Sequence, residues 1–199
     1  NSSVNCVSAM FASSDGAWRI ERGGTLHLNN ATISACGVSP INDTSHITLR
    51  RSIVMGDSGL KFKNADSLIS DCAFLYGEQY TVNSNNTNDV ILNEYNSQIQ
   101  LRRNLFHRYG RISNRYNSTF DSRYNTYQES FNLGLYSSFQ GVAKHLFDAV
   151  IKPGHVGAIY HQTQMEYTDM LFSGCGMANN DGGDGFALAS SMGYCSGSI

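Results

Sequence analysis

The stretch Gln98-Ile99-Gln100-Leu101-Arg102-Arg103-Asn104-Leu105-Phe106 decides the fold, because versions of it recur along the chain at a near-constant step. With Ile99 as the anchor, the equivalent positions are Leu26, Ile47 and Leu68 upstream and Phe120 downstream, at successive intervals of 21, 21, 31 and 21 residues. The long interval reads as one copy carrying an extra loop, the apolar-free segment Asn83-Ser84-Asn85-Asn86-Thr87-Asn88. A period in the twenties is the signature of a solenoid, in which each copy covers the apolar face of the next.

Each copy shows an inside and an outside. Leu26 and Leu28, Ile47 and Leu49, Leu68 and Ser70, Ile99 and Leu101, and Phe120 and Ser122 each share one face of a strand. A second inward position follows at Ile33, Ile53, Phe74, Leu105 with Phe106, and Tyr127. A third precedes the anchor at Trp18, Ser39, Leu60, Ile91 and Ile112. Gly, Asn, Ser and Asp join these segments, and they are the residues that turn a backbone. Three short strands in roughly 21 residues describe one coil of a right-handed parallel β-helix, so the expected fold is an all-β solenoid of about eight coils. A leucine-rich solenoid and a two-sheet β-sandwich are the alternatives. The former lacks its strand asparagine, since Ala31, Ser52 and Ala73 stand there.

The chain divides into a capping segment at 1–17, a regular β-helix at 18–130, and less regular coils with a C-terminal cap at 131–199. Residues 138–151 can also be read as a short helix ended by Pro153-Gly154. The chain has 199 residues, enough for one sizeable core and too few for two ordinary domains. A net charge of −2 argues against general nucleic-acid binding, and no apolar run approaches the length of a membrane span. The chain starts at Asn1 without Met, which suggests a processed product or an excerpt.

Five cysteines, at 6, 36, 72, 175 and 195, form no zinc pattern and read as small buried hydrophobes, with a Cys175–Cys195 bridge as the alternative. The Gly/Asp-rich run from Asn179 to Phe186 reads as a solvent turn, with a single calcium-binding repeat as the minor alternative. No cofactor and no metal are expected.

If the anchors point inward, the third residue after each points outward, which gives the column Asn29, Arg50, Asp71, Arg102 and Arg123. Asp71 then falls between Arg50 and Arg102 as a ladder of ion pairs. Arg50, Arg102 and Arg123 are the candidate substrate-binding residues, because guanidinium forks grip carboxylate or phosphate groups on a sugar chain. Tyr80, Tyr95, Tyr109, Tyr116, Tyr124 and Tyr127 are candidate stacking surfaces. Should the face also cleave glycosides, Asp71 and Asp121 are the candidate catalytic carboxylates, with Glu94 as a third. A lyase would instead use Arg102 or Arg123 as base.

The rung length, the three strands per rung, the Asn-, Gly- and Ser-rich turns and the stacked aliphatic interior from Trp18 to Tyr127 resemble the pectate-lyase-like right-handed β-helix superfamily. Within it, the chain is most similar to the receptor-binding tailspikes of bacteriophages. The resemblance implies an extracellular or virion-surface homotrimer that binds, and in many members cleaves, cell-surface polysaccharide, in contact with other virion proteins and without membrane insertion. A non-enzymatic structural fibre or adhesin, and a free polysaccharide lyase, are the alternative functions.

Overall fold

The computed structural model describes residues 3–12, 17–21, 23–34, 37–41, 45–55, 60–75, 89–109, 111–129, 135–137, 141–151, 159–161, 164–173, 187–188 and 193–196. All strand pairings among them are parallel, and they assemble three sheets of nine, eight and eight strands. The chain visits the sheets in rotation, so each strand bonds to the strands one coil before and one coil after it. This is a parallel β-helix, as the repeat predicts.

Sheet A contains Ser3–Val7, Thr25–Asn29, Ser45–Arg50, Ala65–Ser70, Gln98–Arg102, Thr119–Arg123, Val142–Leu146, Gln164–Thr168 and Gly193–Ser196. These strands define coils one to nine. Sheet B contributes three-residue strands to coils one to eight, from Met10–Ala12 to Leu171–Ser173. Sheet C begins at Ala17–Glu21 and includes Leu60–Lys63, Asp89–Glu94 and Arg111–Asn114. Residues 3–12 thus extend sheets A and B by one coil. Residues 141–151 form the strands Val142–Leu146 and Ala149–Ile151, so their helical alternative is not taken. The alternation that suggested strands is strong enough there to override the helical reading.

Leu26, Ile47, Ile99 and Phe120 stack inside as expected, but Leu68 does not. Ser67 and Ile69 pair with Ile47 and Leu49 on one side and with Ile99 and Leu101 on the other. Ser67 and Ile69 are buried, and Leu68 is half-exposed. Apolar anchors mislead here because the step from coil three into coil four is 20 residues rather than the 21 of the step before it, which places a serine inside. The Ser67 hydroxyl is satisfied there by accepting the Ile47 amide at 3.3 Å. A similar slip affects sheet C, where Val38 rather than Ser39 pairs with both Trp18 and Leu60. In sheet B, Val54 rather than Ile53 points inward.

The corner between sheets A and B is one repeated device. Ser8, Asn30, Arg51, Asp71, Arg103, Tyr124, Phe147 and Asp169 all have φ between 49° and 58° except Arg51 at 46°. A left-handed residue reverses the chain within one step, at a cost of roughly 1 kcal/mol for a side chain other than glycine. Backbone bonds between coils offset that cost: Asn30 N donates to Arg50 O at 3.1 Å, and Asp71 N to Arg102 O at 2.9 Å.

The residue after the left-handed corner in coils two to seven points inward, and these form a ladder of Ala31, Ser52, Cys72, Asn104, Asn125 and Asp148, all buried. Cys72 N donates to Asn104 Oδ1 at 2.9 Å, Asn104 N to Asn125 Oδ1 at 2.8 Å, and Asn125 N to Asp148 Oδ1 at 2.7 Å. Burial pushes the Cys72 thiol up to about 11, so Cys72 behaves as the small buried hydrophobe its position suggests. The bridge between Cys175 and Cys195, the run from Asn179 to Phe186 and the loop at 76–88 lie outside the described residues or involve side chains outside them.

The interior is therefore mixed from coil three onward, with buried serines in coils three and four and larger polar groups beyond. Phe74, Phe106 and Tyr127 stack at 4.5 and 5.0 Å between ring centres. Beside them Ser122, Asn125, His145 and Asp148 form a buried polar cluster, and Asn93 and Asn114 form another. The stacked aliphatic interior expected from the repeat is corrected accordingly. Small polar side chains can stack in register because each satisfies the backbone of the next coil.

Candidate functional site

The outer face of sheet A presents alternate residues of each strand, which puts Gln98, Gln100 and Arg102 above Thr119, Asp121 and Arg123 in the paired strand. Lys144 and Glu166 continue the Gln100–Asp121 column and pair with each other at 3.3 Å.

Asp121 lies between two guanidinium groups. Arg102 Nη2 reaches Asp121 Oδ2 at 2.7 Å, and its Nη1 donates to the Asp121 carbonyl at 2.7 Å. Arg123 Nε and Nη2 donate to the same carboxylate at 3.1 and 3.2 Å. Partial burial raises the pKa of Asp121, but the hydrogen bonds from Arg102 and Arg123 outweigh that effect and hold it below the usual carboxylate range.

Asp71 is not in the Arg50–Arg102 column. Ser70 occupies that position, paired with Arg50 and Arg102, and Asp71 is the left-handed corner residue that follows. The correction follows from the short step into coil four, which shifts the strand Ala65–Ser70 and its corner by one position. At the corner Asp71 meets Arg103 in a two-pronged pair at 2.6 and 2.9 Å. The Arg103 hydrogen bond is the main influence lowering the Asp71 pKa, and the nearby charge of Arg50 adds to it. Arg50 itself is exposed, and its guanidinium makes no hydrogen bond among the described residues.

Glu94 stands apart from both carboxylates, at the end of the sheet C strand Asp89–Glu94, nearly buried, with Arg115 Nη1 at 3.9 Å from its Oε1. Asp71, Asp121 and Glu94 thus belong to three different settings: a corner, a sheet face and a strand end. Arg102 and Arg123 converge on Asp121, while Arg50 lies by Asp71.

Of the candidate tyrosines, Tyr109 and Tyr127 are core residues and offer no surface. Tyr95 and Tyr116 stack at 4.8 Å on the corner leading into sheet A, with Lys63 Nζ 4.8 Å from the centre of the Tyr95 ring. Tyr124 stacks on Phe147 at 5.0 Å on the opposite corner. The polar bed of coils five and six is therefore rimmed by an aromatic pair on each side, and Tyr80 lies outside the described residues.

The residues that the repeat reading passed over are Arg103 and Arg51. Aligning the corner triplets Arg50-Arg51-Ser52, Ser70-Asp71-Cys72 and Arg102-Arg103-Asn104, rather than the apolar anchors, brings both into the same column as Asp71.

Both paired aspartates make the same pH prediction. Each has a folded pKa below its ordinary 3.8, so the folded state gains from the charged form. That gain is complete above about pH 4 and is lost as the pH falls through the lower folded value. Asp121→Asn is expected to flatten the acid side of a plot of Tm against pH. Asp71→Asn has less effect because its pair is exposed and screened. Thermal unfolding monitored by circular dichroism across the acid range measures both.

Comparison with known proteins finds no matching family, no matching curated protein and no matching solved structure.

Proposed function

We propose that this β-helix binds acidic cell-surface polysaccharide along the outer face of sheet A, as an extracellular or virion-surface receptor-binding protein of the tailspike kind. The observation that carries the reading is charge placement. Through coil six, Arg50, Arg51, Arg102, Arg103 and Arg123 stand against Asp66, Asp71 and Asp121 on the face and its adjoining corner, which leaves a local charge of +2 on a chain whose net charge is −2. A flat sheet that keeps adjacent coils roughly 4.8 Å apart suits an extended polymer, and the amides of Gln98 and Gln100 suit its hydroxyls.

Recognition is favoured over cleavage by the state of the carboxylates. A glycosidase needs one carboxyl group held protonated near neutral pH, which requires a raised pKa. Asp71 and Asp121 are both shifted the other way by their arginines. They act as fixed counter-ions that orient the forks.

The test is retention on acidic and neutral polysaccharide gels, followed by chain-length measurement of the recovered glycan. Acidic chains are expected to be retained unshortened, with retention falling as salt rises. Replacing Arg50 and Arg123 together by alanine is expected to weaken binding by about tenfold, a loss of roughly 1.4 kcal/mol. Shortened chains would favour a hydrolase or lyase. Equal indifference to acidic and neutral glycans would leave the structural fibre as the better account.

A further inference from the structure

Sheet B turns a different surface to solvent. Its eight strands show two outward positions each, and none of these sixteen residues is Asp, Glu, Lys or Arg. The first outward column runs Met10, Thr32, Ile53, Ala73, Leu105, Thr126, Ala149 and Leu171, of which Met10 is 74%, Ile53 40%, Leu105 37% and Leu171 50% exposed. Charges resume at both margins, with Arg51, Asp71 and Arg103 on one corner and the Arg108–Glu129 pair on the other. An uncharged apolar strip with a charged rim is the anatomy of a protein interface.

The order of residues along the strip identifies its occupant. Coils one to six alternate large and small in the first column: Met10, Thr32, Ile53, Ala73, Leu105, Thr126. A two-fold axis crossing the strip between coils three and four sets each coil against the coil whose number completes seven. Ile53 then meets Ala73 of a second copy, Leu105 meets Thr32, and Met10 meets Thr126. In this column every large side chain faces a small one, and in the second column Gln128 meets Ala12 and His107 meets Ser34, with Met55 against Leu75 the one large pair, which is how two sheet faces interdigitate at about 10 Å separation. The same axis carries Arg51 of coil three toward Asp71 of the second copy's coil four, where it would join Arg103 around that carboxylate.

We infer that the outer face of sheet B is an isologous contact between two antiparallel copies of this chain. Six coils at roughly 4.8 Å, by a strand and its corner about 15 Å wide, offer on the order of 430 Å² per copy. The total lies just under the roughly 1,000 Å² of a stable specific interface, so association is weak and concentration-dependent. The inference uses sheet B alone and stands or falls independently of polysaccharide binding on sheet A.

Sedimentation of the whole chain over roughly a thousandfold range of concentration tests it. A reversible monomer–dimer equilibrium is expected. Ile53→Ala and Ala73→Ile should each weaken the dimer by about tenfold or more, since the symmetry repeats every change twice. The two substitutions combined should restore most of the affinity, because the large and small partners have merely changed places. Asn5→Glu, on the outer face of sheet A, should leave it unchanged. All variants should keep the parental circular dichroism spectrum, since the altered positions are outside the core. A monomer at every concentration, a trimer indifferent to these substitutions, or failure of the double substitution to recover would each overturn the proposal.

Discussion

Asp148→Ala is expected to destabilise the protein by about 3–5 kcal/mol, because it strands several buried hydrogen-bond donors at once. The carboxyl group of Asp148 accepts the Asn125 amide at 2.7 Å, the Asn125 side-chain amide at 3.2 Å and the Ser122 hydroxyl, and His145 Nδ1 lies 2.9 Å from its Oδ2. All four residues are buried, so the donors left behind would find no water to replace it. The loss corresponds to a Tm lower by roughly 10 °C in a chain of this size. Asp148→Asn keeps an acceptor oxygen for Asn125 N, as Asn104 and Asn125 do for the coils before them, and should cost less than the alanine. Urea titration of the three proteins measures the order. Equal stability of the alanine variant and the parent would show that the cluster does not hold coils six and seven together.

Phe106→Ala should have an effect of similar size for an opposite chemical reason. Phe106 is fully buried at the centre of the ring stack, 4.5 Å from Phe74, 5.0 Å from Tyr127 and edge-on to Tyr109 at 5.7 Å. Truncation removes its burial and leaves a cavity between rings held by rigid strands, a change that typically costs about 3–5 kcal/mol. Phe106→Leu should recover much of this, because the solenoid interior asks chiefly for volume at this point. Loss of the near-ultraviolet aromatic signal at lower denaturant in the alanine variant would accompany the change.

The fold was legible because coiling makes one spacing serve many contacts. Leu26, Ile47, Ile99 and Phe120 announce the inward column, and Leu60, Ile91 and Ile112 the third strand, which pair in the register expected. Legibility failed where the interior is not apolar. Ser67 is an inward residue that looks like a surface one, while Leu68 is a surface residue that looks like an anchor. A shift of one residue flips a strand between its two faces, and it moved Asp71 from the sheet to the corner. Of the candidate site, the Arg102–Asp121–Arg123 arrangement was visible as outward neighbours in successive coils. The Asp71–Arg103 pair was hidden, because a left-handed corner has no hydrophobic signature.

Among the described residues, the strands of each coil, two to six residues long, pair with those of the coils immediately before and after. Under a pull applied to its two termini the molecule would shed material from the outside inward, in parcels of one turn. Each parcel of roughly 21 residues releases about 70 Å of slack. A tether built this way yields gradually and keeps its middle intact, and the middle is where the arginine-rich face and its aromatic borders stand.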